Sequence, residues 1–177
     1  MTERIIIGGA GGQGIMLLGK ILAMAAMKEK KFVTWLPAYG AEVRGGTAHC
    51  MLVISDEEIG SPYVNKANSL IIMNQLALKK FKNRVKFRGL LVLNSSLADS
   101  DEENTLKLKI FKHPFTDKAL GMGNIRIANM IALGCYLAAK KIVAVKHVLD
   151  VIEQIAPSER KNLVTINQEA LKKGLEL

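Results

Sequence analysis

The residues best suited to meet a ligand stand near the start of the chain. Gly9, Gly11 and Gly14 are spaced Gly-x-Gly-x-x-Gly, with Gly12 and Gln13 inside the turn. Arg4 to Gly8 (RIIIG) precedes the turn and reads as a buried parallel strand. Met16, Gly19, Leu22, Ala23 and Ala26 follow it as one small-to-apolar stripe, which predicts a helix over Ile15 to Lys30. A strand, a glycine turn and a helix in that order can hold an anion. Glycines let the backbone approach closely, and the first N–H groups of a helix have no partner within it. A dinucleotide site also needs an acid about 20 residues on, at the end of the second strand, to hold a ribose. That region is Thr34-Trp35-Leu36, without a carboxylate. The turn therefore serves either tight strand–helix packing or another phosphate. A stand-alone nucleotide- or dinucleotide-binding module remains the alternative function.

A second group lies in the glycine-flanked segment Tyr39-Gly40-Ala41-Glu42-Val43-Arg44-Gly45-Gly46. Arg44 could grip a carboxylate or phosphate through its forked donors, or pair with Glu42 to stiffen the loop. Tyr39, Glu42, Arg44, Gly45 and Gly46 join Gly9 to Gly14 as candidate binding residues. Gly14 to Lys20 has the spacing of a P-loop, but Ile21 stands where a Mg²⁺-binding hydroxyl belongs and the middle residues are apolar helix formers. Gly60-Ser61-Pro62 reads as a turn. No serine is paired with a histidine by any argument from position, so no nucleophile–base pair and no catalytic residue is assigned. With two cysteines, Cys50 and Cys135, the chain cannot supply the four thiolates of an iron–sulfur cluster. His49, His113 and His147 are scattered, and the neighbours His49 and Cys50 point to opposite faces of a strand, so no metal site is expected.

Further elements follow from apolar runs and their punctuation. Strands are expected at Phe32 to Leu36, halted by Pro37, and at Thr47 to Ser55, Ser69 to Met73 and Gly89 to Asn94. A lysine-bearing edge strand is expected at Leu106 to Phe111. Helices are expected at Gln75 to Phe81, Asn124 to Lys140, Val145 to Ile155 and Glu159 to Leu175, the last capped by Ser158. Buried strands alternating with helices predict an α/β, Rossmann-like fold: a mostly parallel sheet flanked by helices, in a single domain over residues 1–177.

Hydrophobic residues make up 49% of the 177 and aromatics only 5%, so the core must rest on aliphatic side chains. No apolar run reaches the ~20 residues a membrane helix needs, and Thr2-Glu3-Arg4 is unlike a signal peptide, so a cytoplasmic location is expected. The net charge is +9, and six basic residues crowd Lys79 to Arg88 with no acid between them. That run is either a solvated face or a surface for an anionic partner. Nucleic acid is not favoured, because no recognition motif accompanies the charge.

Taken in order, GGAGGQG, PAYGAEVRGGTAHCMLVIS, GSP, the strand ending at Met73-Asn74, and GNIRIANMIALG at Gly123 to Gly134 resemble the gamma subunit of the 2-oxoacid:ferredoxin oxidoreductases. The resemblance covers nearly the whole chain. Ala41 and Val43 depart from the proline and methionine frequent there. The resemblance implies a Rossmann-like module that is inactive alone and concerned with coenzyme A (CoA) handling and assembly. Thiamine diphosphate, Mg and iron–sulfur clusters would sit in alpha and beta partners, or a delta subunit, with ferredoxin as electron acceptor through the complex. The implied reaction is oxidative decarboxylation of a 2-oxoacid with CoA to acyl-CoA, CO₂ and reduced ferredoxin, with 2-oxoglutarate favoured over pyruvate. The glycine turn and the Tyr39 to Gly46 loop would contact CoA or a partner subunit; a purely structural role is the other reading. The isolated chain, with partner-covering surface bared, is expected to form a homodimer. Met24, Met27, Met122 and Met130 are read as core residues that could also serve contacts.

Overall fold

The structure, a computed structural model, describes residues 1–38, 47–100, 106–157 and 161–177. Among these residues six strands form one sheet. They are β1 (Thr2–Ala10), β2 (Phe32–Ala38), β3 (Thr47–Ser55), β4 (Ala67–Ile72), β5 (Val85–Asn94) and β6 (Lys109–His113). Their order is β2-β3-β1-β4-β5-β6. β1, β4, β5 and β6 pair in parallel, whereas β3 is antiparallel to both β1 and β2. The sheet is mixed, and β1 is parallel-paired on one side only.

The helices are α1 (Ile15–Lys28), α2 (Gln75–Phe81), α3 (Phe115–Gly121), α4 (Ala128–Ala139), α5 (Val145–Ile155) and α6 (Lys161–Leu175). Strand alternation divides the core. Ile5, Ile7, Cys50, Leu52, Ile71 and Val92 face the layer that holds α1, α3, α4, α5 and α6. Ile6, Met51, Val53, Leu70, Ile72 and Leu91 face α2. Cys50 and His49 obey the same rule: Cys50 is wholly buried on the α1 side, and His49 lies 4.9 Å from the ring of Phe81 on the other.

β3, α2 and α5 have the bounds expected from sequence; other elements differ for local reasons. Pro37 does not stop β2. The strand is an edge and runs on to Ala38, because an edge position tolerates the missing donor. β1 also takes in Gly9 and Ala10, since β3 offers partners as far as Thr47. β6 is the other edge but begins at Lys109 rather than Leu106. α3 was not anticipated. The expected helix from Asn124 opens as a tight 3-10 turn, Ile125–Ile127, and becomes α-helical at Ala128. Ser158 lies outside the described residues. Two glycines let α4 and α6 cross: a Cβ on Gly134 would lie 2.1 Å from the carbonyl oxygen of Leu171.

Met130 is buried, and Met24 and Met122 pack at the margin of the core, whereas Met27 is exposed. Part of the basic run is used internally. Arg84 donates to the carbonyls of Val64 and Asn65 and stacks 5.2 Å over Tyr63, and Lys80 donates to Thr47 Oγ1 at 2.9 Å. Lys79, Lys86 and Arg88 are exposed. At the opposite end of β1 from the glycine turn, Glu3 is buried and its carboxylate accepts from Ser69 and from Lys140 Nζ at 2.9 Å.

Candidate functional site

α1 packs on one face of the sheet and α2 on the other, which makes the carboxyl ends of β1 and β4 a switch point in the sheet, with a crevice outside the strand ends. The glycine turn sits in it. Three of its glycines, Gly9, Gly12 and Gly14, each have their own cause. A Cβ on Gly9 would lie 2.7 Å from both Gln13 Oε1 and Ile15 Cδ1. Gly12 and Gly14 have φ of +83° and +70°, and a Cβ on Gly14 would also strike the Asn129 amide at 2.3 Å. Gly11 has neither constraint, since a Cβ there would meet nothing within 4 Å.

Gln13 ties the turn to the sheet. Its Oε1 accepts from the Ala10 N–H at 2.7 Å, and its Nε2 donates to the Met73 carbonyl at 3.3 Å. Asn94, fully buried at the end of β5, donates to the same carbonyl at 3.1 Å and to Thr116 Oγ1 at 2.8 Å. Asn74, just past β4, caps α2 by accepting from the Ala77 N–H at 2.9 Å. Asn129 donates to the Gly14 carbonyl at 3.1 Å, but its own Oδ1, in a side chain 1% exposed, has no partner among the described residues. The strand ends are thus joined by side-chain amides that fix the turn.

No side chain caps the start of α1. Its first backbone bond runs from the Leu18 N–H to the Gly14 carbonyl, so the N–H groups of Ile15, Met16 and Leu17 have no partner within the helix. A cleft of about 110 Å³ opens here, lined by Gly12, Gln13, Met73, Leu97, Thr116, Ile125, Arg126 and Ala128. Arg126 is exposed and in no ion pair with a described residue. The arrangement can bind an anion. Among the described residues that line the cleft there is one cation and no carboxylate.

Gly9, Gly11, Gly12, Gln13 and Gly14 therefore fall together. Tyr39, Glu42, Arg44, Gly45 and Gly46 lie outside the described residues. The flanking residues Ala38 and Thr47 are at the same end of the sheet, and Thr47 pairs with Ala10. Arg126, Asn129, Thr116 and Asn94 were not identified as site residues from sequence. Asn94 had a signal as the asparagine closing an apolar run, and Arg126 and Asn129 lie within the GNIRIANMIALG motif, which pointed to the family but not to a site. Nearby titratable groups favour their uncharged forms. Burial, then Lys80, holds His49 below the ordinary imidazole value, and burial raises the Cys50 thiol to about 11.

The fold also decides against a dinucleotide module. β3 lies between β1 and β2, so the end of β2 is two strand spacings from β1, roughly 10 Å rather than 5 Å. A ribose-binding acid there would be misplaced even if one were present.

Residues 4–177 match the family model described as pyruvate ferredoxin/flavodoxin oxidoreductase. The chain belongs to this family. Within it, the 2-oxoglutarate synthase subunit KorC of Methanocaldococcus jannaschii is 34% identical over 181 residues, covering 100% of this chain and 94% of KorC. The ketoisovalerate oxidoreductase subunit VorA of Methanothermobacter marburgensis is 40% identical over 136 residues, which are 76% of this chain but 28% of VorA. This chain thus corresponds to a minor part of VorA and to nearly all of KorC.

Among solved structures, the gamma subunit of keto/oxoacid ferredoxin oxidoreductase from Geobacter sulfurreducens PCA superposes with a TM-score of 0.83 at 26% identity, covering 98% of this chain and 96% of that one. A Magnetococcus marinus 2-oxoglutarate:ferredoxin oxidoreductase with 2-oxoglutarate, coenzyme A and succinyl-CoA bound shares the fold, with a TM-score of 0.89 at 22% identity. That match covers 99% of this chain and 30% of that one. The mixed sheet flanked by helices is therefore the fold of the family's gamma subunits, as the motif order implied.

Proposed function

We propose that this chain is the gamma subunit, a single domain, of a complex that oxidatively decarboxylates a 2-oxoacid with CoA, giving acyl-CoA, CO₂ and reduced ferredoxin. The observation that carries the reading is the end-to-end match to KorC, in which no large part of either chain is left over. In this reading the alpha and beta partners, with or without a delta subunit, hold thiamine diphosphate, Mg and the clusters. That division agrees with the donor chemistry of this chain's cysteines. Cys50 and Cys135 sit on β3 and α4 with thiols raised to about 11 by burial, which is unlike a cluster ligand. This chain's own work is to position: its glycine turn and α1 present N–H groups to an anion, and the Tyr39 to Gly46 segment adds Arg44. When isolated, it buries its partner-facing surface by forming a homodimer.

For the substrate, 2-oxoglutarate is favoured by the full-length similarity to KorC. Ketoisovalerate is the second reading, favoured by the higher identity to VorA over a shorter span. The test is to co-express the chain with alpha and beta chains from the same genome, and to follow CoA-dependent viologen reduction with 2-oxoglutarate, pyruvate and ketoisovalerate. Fastest turnover with 2-oxoglutarate is expected, and none without this chain. Turnover by this chain alone, or a complex indifferent to its removal, would overturn the reading.

A further inference from the structure

The basic run ends in a break of the β ladder. Val85 pairs with Ala67 and Leu90 with Ser69, so four residues of β5, Lys86 to Gly89, stand against the single Asn68 of β4. The strand bulges there, at the end of the sheet opposite the glycine turn. The bulge is built rigidly. A Cβ on Gly89 would lie 2.9 Å from the carbonyl oxygens of Asn68 and Lys86. The Arg88 N–H donates to the Leu106 carbonyl at 2.8 Å, and Arg88 and Lys107 hold left-handed backbone, with φ of +58° and +50°. Non-glycine residues keep that conformation only where their surroundings fix it. The bulge displays one aromatic ring among cations. Phe87 is 56% exposed, with the Arg88 guanidinium 5.4 Å over its ring. Lys86, Arg88 and Lys107 are exposed and in no ion pair with a described residue. Lys109, paired with Leu90, extends the surface along β6. Lysines on β6 protect an edge strand, but Lys86 and Arg88 lie outside the ladder and have no edge to protect.

The geometry points to this surface as the docking site of an acidic electron-carrier protein, the class of acceptor that the proposed reaction requires; the inference rests on that reading. The charges are complementary, and the make-up of the patch selects a partner that binds and leaves. Permanent subunit interfaces are apolar and poor in lysine, whereas here long cationic side chains surround a single ring. Weak redox encounters are small and steered by charge. Nucleic acid fits less well, since one ring gives a stacking platform to one base only. This chain supplies the docking surface alone; the electrons come from clusters in the partner subunits. A carrier held at the bulge leaves the glycine turn, at the other end of the sheet, clear.

The test uses the assembled complex carrying Lys86→Gln together with Arg88→Asn, since asparagine tolerates the left-handed backbone. The Kd of an acidic ferredoxin is measured by calorimetry without oxoacid, and its KM with oxoacid and CoA saturating. Methyl viologen, a small cation that needs no docking surface, is the parallel acceptor. Each exposed charge pair lost weakens binding about 1.5- to 5-fold, so the double variant should raise Kd and KM for ferredoxin roughly 2- to 30-fold at low salt. The difference should vanish at about 1 M salt, where the Debye length is about 3 Å. Turnover with viologen should not change. Lys146→Gln, at an exposed lysine on α5, should leave every value unchanged. Unchanged Kd and KM for ferredoxin in an intact complex would refute the inference. So would loss of assembly, because the cations would then serve a fixed acidic face of a partner subunit, and so would a defect confined to retention of an RNA oligonucleotide. A wild-type complex that binds ferredoxin through these residues yet reduces no viologen with any 2-oxoacid would instead sink the proposed reaction and leave this inference standing.

Discussion

Replacing Gly134 by alanine tests the helix crossing that seals the far side of the core. The added Cβ would lie 2.1 Å from the carbonyl oxygen of Leu171 and 2.9 Å from the Cα of Gly174. Both obstacles are backbone, so no side chain can swing aside, and α6 must withdraw by roughly 1 Å to restore ordinary contact. Overpacking costs about 1–3 kcal/mol, and a rigid obstacle places this case at the upper end. Alanine recovers about 1 kcal/mol of helix propensity, leaving a net loss of about 2 kcal/mol. For a chain of this size that is a fall in Tm of about 4–8 °C. Gly121→Ala is the control: it ends α3, and its Cβ would meet nothing within 4 Å. Thermal and urea unfolding followed by circular dichroism should separate the two variants clearly. A Gly134→Ala protein as stable as the Gly121→Ala protein would show that α4 and α6 are not in this close contact, and the argument from backbone crowding would fail.

Other outcomes follow from the same structure. Gly14→Ala should destabilise by about 1–2 kcal/mol from its φ of +70° alone, with more from the displaced Asn129 amide, as read by urea midpoints. Both cysteines are buried and their thiols are raised to about 11, so Ellman's reagent at pH 8 should react slowly with the folded chain and at once in denaturant; two fast thiols in the native state would contradict the packing. Burial, then Lys80, lowers the pKa of His49, and burial, then Lys118, lowers that of His113. A depressed folded pKa means that the unfolded chain binds protons first. Stability should then be intact above the unfolded value of about 6.5 and fall as the pH drops through it, with a shallower fall in His49→Gln; a urea midpoint that rises from pH 7.5 to 5.5 would contradict this. Lys140→Met leaves the Glu3 carboxylate buried without its cation, and should cost about 3 kcal/mol, partly recovered when Glu3→Gln is added.

The sequence by itself determined the elements whose signals are local. Thr47 to Ser55, Gln75 to Phe81 and Val145 to Ile155 were legible because an apolar run, a capping asparagine or a 3.6-residue stripe marks each one within its own span. The glycine turn was legible for the same reason: strand, turn and helix are adjacent in the chain, and Gly9 to Gly14 do fall together at a helix start. The order of the motifs also carried the family.

What only the tertiary structure decided depends on neighbours distant in sequence. Pro37 reads as a stop until β2 is known to be an edge. Gly9 and Ala10 read as turn until β3 supplies their partners. Gly134 reads only as one residue of the helix expected from Asn124 to Lys140 until Gly174, 40 residues on, is seen against it. The cleft is the same case. Gly12 and Arg126 share no local pattern, because strand ends and helix starts are brought together by the sheet order, and only hydrophobic burial on both faces of that sheet fixes which residues meet.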